Sequence, residues 1–194
     1  MNDPRPLYAR ATGQLAALIK TVRPEQLEHP TPCAEFDVRA LLAHVVGGAH
    51  RIAVVGEGGD ALSQPVDIEP VADDEWSVAY DQARERAYAA WTPDDRLAAQ
   101  VTMPWGTLPG AGALQAHVME TATHTWDLSR ALGEPVVLDQ EIAEVALESA
   151  RRMVAADRRG QENGVPFEAP REAGADADAY ERLAAWLGRD VQAH

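Results

Sequence analysis

Apolar positions Leu7, Ala11, Leu15, Leu18 and Val22 recur at steps of three and four, the period of a helix with one buried face. They predict a first helix over about residues 6–22, ended by Pro24. After the proline-rich HPTPC turn, Asp37 stands where an N-cap belongs, and Leu41, Leu42, Val45, Ala49 and Ile52 form the stripe of a second helix that Gly56 stops. Residues 56–73 carry glycines and prolines without period, which suits a long crossover. Trp76, Ala79, Tyr80, Ala83, Ala87 and Trp91 predict a third helix over about 73–91, closed by Thr92-Pro93. The stretch QVTMPWGTLPGAG reads as a short hairpin or ordered loop, since its prolines would confine any strand to an edge. Leu114, Val118, Thr121, Thr125, Leu128 and Leu132 line a fourth helix over about 111–132, stopped by Gly133. Ile142, Val145, Ala146, Ser149 and Met153 mark a fifth over about 138–157; 158–175 read as loop and 176–188 as a final short helix. No internal repeat is visible, so the expected class is an all-α bundle.

Length and charge narrow the picture. The 194 residues suit a single domain spanning 1–194, and 46% hydrophobic residues suffice for a core. Lys plus Arg total 17 against 31 for Asp plus Glu, and the net charge of -14 repels phosphate backbones and anionic lipid, so neither nucleic acid nor a membrane is expected as a partner. The lone cysteine, Cys33, excludes an intrachain disulfide, and the N-terminus lacks the apolar run of a secretory signal, which together point to the cytoplasm. The most apolar stretch, LLAHVVGGAHRIAVVG, is interrupted by His44, His50 and Arg51, and no membrane span is expected from it.

GxSxG, P-loop and HExxH motifs are absent, and Gly56, Gly58 and Gly59 follow a helix where a dinucleotide site needs a strand. Chemistry concentrates instead in HVMETATHTWD. Glu120 and His124, at i,i+4 on the fourth helix, project about 40° apart and can share one ion, with His117 on the same stripe. A carboxylate and two imidazoles on a face that should be apolar need something to neutralise them, and a divalent metal would do so. His44 interrupts the second helix's apolar face and supplies a third ligand, leaving open coordination positions of the kind catalytic sites keep. The competing reading is an ordinary surface Glu–His pair. His29, His50 and His194 read as surface or tail histidines, and Cys33 as a small buried hydrophobe. Around the site, Gly47 and Gly48 would keep space open or pack helices closely, and Arg51 would meet a substrate carboxylate or reach to solvent. Asp127 would orient a ligand imidazole or cap the surface, and Trp105 and Trp126 would wall a pocket or fill core.

The segments TPCAEFDVRALLAHVVGG, MPWGTLPG, METATHTWDLSRALG and ERLAAWLGRD resemble the metal-binding domain of mycothiol-dependent maleylpyruvate isomerases and their stand-alone relatives, of the DinB/YfiT-like superfamily. The resemblance covers nearly the whole chain, and it implies a four-helix bundle with up-down-down-up connectivity, here with an additional C-terminal helical segment. It implies metal ligands at His44, Glu120 and His124, with zinc foremost and nickel, iron or manganese as the other candidates. It also implies mycothiol or another low-molecular-weight thiol as cosubstrate and a small-molecule electrophile as partner, with a homodimer among the assemblies to consider. The isomerase carries an additional C-terminal domain that is not expected in these 194 residues, so the expected activity is thiol S-transfer instead of maleylpyruvate isomerisation. The alternative is a non-catalytic metal-containing binding or stress-response module. No catalytic or cofactor-binding residue beyond the metal ligands is assigned.

Overall fold

The computed structural model describes residues 3–63, 70–133, 136–154, 159 and 167–192. Among the described residues seven α-helices run in the order α1 (Arg5–Ile19), α2 (Val38–Gly56), α3 (Trp76–Ala90), α4 (Asp94–Ala98), α5 (Gly110–Leu132), α6 (Gln140–Met153) and α7 (Ala179–Trp186). The only sheet among the described residues is the antiparallel hairpin of β1 (Gln100–Met103) and β2 (Gly106–Pro109), which pairs Val101 with Leu108. The fold is thus helical, with the hairpin where QVTMPWGTLPGAG predicts one.

Helices α1, α2, α3 and α5 close into a ring, α1 packing on α5 and α3 while α2 packs on α3 and α5. Their cross-contacts fix the directions. Arg5 reaches Asp94 and Lys20 reaches Asp81, so α1 and α3 are antiparallel. The indole N–H of Trp91 donates to the Ile52 carbonyl, while Tyr80 shares a cavity with Val45 and Gly48, so α2 and α3 run parallel. His44 meets Glu120 and Gly48 faces His117, so α2 and α5 are antiparallel. Parallel α2 and α3 require the long connection that the 56–73 segment provides; residues 64–69 of it lie outside the described residues. The 19-residue α2 is long and apolar enough to cross a membrane, but 67% of that apolar window is buried here against the rest of the chain.

Local chemistry places the ends. Asp37 caps α2 by accepting from the Ala40 N–H at 2.8 Å, and Gly133, at φ 68°, takes the left-handed conformation that stops α5. Helix α3 starts at Trp76, three residues later than the pattern suggests: the chain before it is a turn in which the Glu75 N–H donates to the Ala72 carbonyl at 2.9 Å, and Asp73 pairs with the Arg39 guanidinium. Helix α1 stops at Ile19, and Thr21 and Val22 bond the carbonyls of Leu18 and Ile19 in tight turns that continue the apolar stripe beyond the helix. Helix α4 is not foreseen at all, since it buries no residue and carries no periodic signal. Helix α6 runs from its Asp139 cap to Met153; Val154, at φ -114° and ψ 73°, has left the helix, and residues 155–157 of the expected extension lie outside those described. Helices α6 and α7 pack on each other and on α5, which is therefore covered on nearly every side.

Candidate metal centre on α2 and α5

The loop before α2 is folded by its own polar atoms. Thr31 Oγ1 donates to the Phe36 carbonyl at 2.7 Å, the Cys33 N–H donates to Thr31 Oγ1 at 3.2 Å and the Phe36 N–H to the Cys33 carbonyl at 2.8 Å. This turn carries Phe36 onto the site, its ring 5.0 Å from that of His44 and 6.3 Å from that of His124. On α2, His44 sits beyond Leu41 and Leu42, at the edge of the buried stripe, and keeps 33% of its side chain exposed.

On α5, His117, Glu120 and His124 descend one face toward α2. His44 Nε2 lies 3.0 Å from Glu120 Oε1, and one donor atom each from His44, Glu120 and His124 fall within 4.8 Å of one another. Two donors bound at roughly 2.0–2.1 Å in tetrahedral geometry stand about 3.4 Å apart, so the triad fits a divalent ion with little rearrangement. His117 Nδ1 is 3.6 Å from the other Glu120 oxygen and stays outside the triad. Gly48 makes the helix contact possible: a Cβ there would stand 3.4 Å from His117 Cε1 and 3.7 Å from Glu120 Oε1. Behind the triad lies a cavity of about 10 Å³, enough for one water-sized group, lined by Val45, Gly48, Tyr80, His117, Glu120, Thr121 and His124.

Burial pushes the Glu120 carboxyl upward, but the His117 and His44 imidazoles outweigh it and hold the group well below the usual carboxylate range. Burial holds the His124 imidazole below its ordinary value against the pull of Asp127, which keeps the ring in the neutral, ligating form at neutral pH. His124 Nδ1 bonds Asp127 Oδ2 at 3.0 Å, leaving Nε2 as its free donor atom. The fully buried Asp127 is in turn gripped by Arg189, from Nε to Oδ1 at 3.2 Å and from Nη2 to Oδ2 at 3.0 Å.

Of the residues singled out in the sequence, His44, Glu120 and His124 come together, and Asp127 takes the orienting role instead of the capping one. Neither tryptophan walls the cavity. Trp105 is 47% exposed at the hairpin turn, and Trp126 is core beneath the Arg130 guanidinium. His29 is exposed near the Ala131 carbonyl, His50 is half-buried and His194 lies outside the described residues. Cys33 is half-buried, and burial raises its thiol, so it has no thiolate character at neutral pH. Among the described arginines, Arg51 alone has no carboxylate, carbonyl, hydroxyl or aromatic partner. Phe36, Arg189 and the buried Tyr8 and Tyr80, whose hydroxyls have no partner among the described residues, were not foreseen. Phe36 was visible within the TPCAEFDV motif and Arg189 within ERLAAWLGRD, but the pairing of Arg189 with Asp127, 62 residues away, leaves no local signal.

The family profile of the mycothiol maleylpyruvate isomerase N-terminal domain matches residues 8–129, a span that holds the whole triad. The chain belongs to this family. Two proteins of Mycobacterium tuberculosis, from strains CDC 1551 / Oshkosh and ATCC 25618 / H37Rv and both described as uncharacterized, are each 34% identical over 191 residues, 98% of this chain and 100% of theirs. The crystal structure of the mycothiol-dependent maleylpyruvate isomerase superposes with a TM-score of 0.64 at 17% identity, covering 84% of this chain and 72% of that one. A histidine-to-alanine variant of that enzyme gives the same TM-score and identity over 81% and 70%. At that identity the likeness shows a shared fold, and the family's isomerase domain and this chain have the same helical scaffold.

Proposed function

We propose that the chain is a single-domain, cytoplasmic, divalent-metal protein of the DinB-like type that transfers a low-molecular-weight thiol, mycothiol foremost, to a small electrophile. The observation that carries this reading is the His44–Glu120–His124 cluster, three donors from two helices with His44 and Glu120 still a third exposed to solvent. Two imidazoles and one carboxylate suit zinc, with nickel, iron and manganese as competitors. A divalent ion held there would supply Lewis acidity and lower the pKa of a thiol placed beside it. The chain's own residues do the rest. His124 is held neutral and aimed by Asp127, Glu120 remains a carboxylate between two imidazoles, and Phe36 covers one side of the imidazole pair. Arg51, two turns and about 10 Å along α2 from His44 on the same face, offers an unpaired guanidinium to a carboxylate on the electrophile.

A second reading has its own support. The cavity at the triad admits one water-sized group, which suits a non-catalytic metal module better than an enzyme that encloses its substrate. The experiment is turnover of a panel of carboxylated and neutral electrophiles, maleylpyruvate included, by zinc-loaded protein with and without mycothiol. The transferase reading expects product only with thiol and metal together, loss of it in Glu120→Gln, and a raised KM in Arg51→Gln for the carboxylated substrates alone. Stoichiometric metal without thiol-dependent turnover on any substrate decides for the module.

A further inference from the structure

Helix α7 ends in a turn built by its own carbonyls. The Arg189 N–H returns to the Ala184 carbonyl at 2.9 Å and the Gly188 N–H to that of Ala185 at 3.1 Å, with Gly188 at φ 92°. No other residue suits Gly188, since a Cβ there would stand 2.7 Å from that of Glu168 in addition to the positive φ. The turn reverses the chain so that the side chain of Arg189, 12% exposed, enters the bundle and meets Asp127, 0% exposed. A planar guanidinium bonded through two nitrogens to both carboxylate oxygens fixes the plane of the carboxylate as well as its position. The oxygen that Arg189 Nη2 holds at 3.0 Å, Oδ2, is the one that bonds His124 Nδ1 at 3.0 Å.

We infer that Arg189 is a positioning residue of the metal centre: through Asp127 it locks the His124 ring with Nδ1–H inward and Nε2 toward His44 and Glu120. The inference rests on the metal reading given above, and it adds a part of the chain to the site. Arg189 lies outside residues 8–129, the span that the family profile matches, so α7 and its terminal turn complete a centre whose ligands come from α2 and α5. Lysine cannot substitute fully, because a point charge holds one oxygen without setting the carboxylate plane.

The test compares wild type with Arg189→Met, Arg189→Lys and the double variant Asp127→Asn/Arg189→Met, which removes both charges and so leaves no buried carboxylate unpaired. Zinc affinity is read by competition with a chromophoric chelator. The His124 tautomer is read in metal-free protein by nitrogen-15 NMR of the imidazole. Expected are a 10- to 100-fold loss of zinc affinity in Arg189→Met, the range of such supporting contacts, partial recovery in Arg189→Lys, and a His124 ring that no longer shows a single Nδ1–H form. Should Arg189→Met fail to fold, the double variant is predicted to fold and to show the same affinity loss and tautomer mixing. Unchanged zinc affinity and an unchanged tautomer in a folded variant, with only a lower melting temperature, would reduce Arg189 to a structural ion pair and overturn the inference. Absence of zinc binding by wild type would count against the metal reading, while the metal-free tautomer would still decide the role of Arg189.

Discussion

Glu120 shows at the scale of single residues how the site was partly legible. Its spacing from His124 announced a shared face, and His44 stood out as a polar break in an apolar stripe; both signals follow from helical periodicity alone. The neighbouring His117, 3.6 Å from Glu120, is one turn back on the same stripe and was legible in the same way; what lies beyond one helix was not, namely that Asp127 hands the orientation of His124 to Arg189. The electrostatics carry a pH signature. The folded chain holds His124 below 6.5, so on acidification the unfolded chain takes up a proton there first. The stability this group supports is full above about pH 6.5 and is lost as pH falls through the folded value. Glu120 and Asp127, both depressed, contribute with the same sign at lower pH: their share is present above the ordinary carboxylate range and lost as pH falls through their folded values. Relief of the overall -14 charge acts on wild type and variant alike, so their difference isolates the histidine. In thermal melts of metal-free protein, wild type is expected to lose stability relative to His124→Gln between about pH 7 and about pH 5. A difference independent of pH would contradict this.

The long elements could be read from pattern because their apolar stripes repeat over several turns, and their stops are local chemistry, as with Asp37 and Gly133. Helix α4 escaped because it buries nothing, yet it constrains α5 through Gly110. That glycine donates its N–H to the Ala99 carbonyl at 2.8 Å, and a Cβ on it would stand 2.1 Å from the Arg96 carbonyl oxygen and 2.7 Å from the Trp91 ring. The clash is with backbone and a fully buried indole, neither of which can yield cheaply. Gly110→Ala is therefore expected to destabilise by roughly 1–3 kcal/mol, the usual cost of overpacking, despite the better helix propensity of alanine. Denaturant unfolding measures it, and a stabilised variant would mean that α4 and the hairpin do not sit tightly on α5. The hairpin itself was legible as a class of structure from its prolines and β-branched residues, whereas its role in seating the start of α5 was not.

At the scale of the molecule, the ring of four helices and the α6–α7 layer share an extensive apolar core away from the triad. Leu41, Leu42, Tyr80 and Leu128 fill one cluster, and Leu114, Ile142, Trp91 and Tyr180 fill another, all at 1% exposure or less. Chelated protein is accordingly expected to keep a helical circular-dichroism spectrum, with a lower melting temperature than the zinc-loaded form because an ion bound only by the folded state stabilises it by mass action. A random-coil spectrum after chelation would show that the ion organises the fold. The family and the helical class were legible because motifs and periodicity survive in one chain; ERLAAWLGRD was legible as a segment, while its meeting with Asp127 depends on tertiary packing that no local pattern records. The central claim, a divalent ion held by His44, Glu120 and His124, is tested most directly by titrating metal-free protein with cobalt(II) and recording its visible ligand-field bands. The account predicts intense bands of low coordination number that saturate at about one equivalent. It also predicts their loss in His124→Ala, their near retention in His117→Ala, and a new sulfur-to-cobalt charge-transfer band on adding a thiol. Weak octahedral bands that do not saturate, or a spectrum indifferent to His124→Ala, would contradict it.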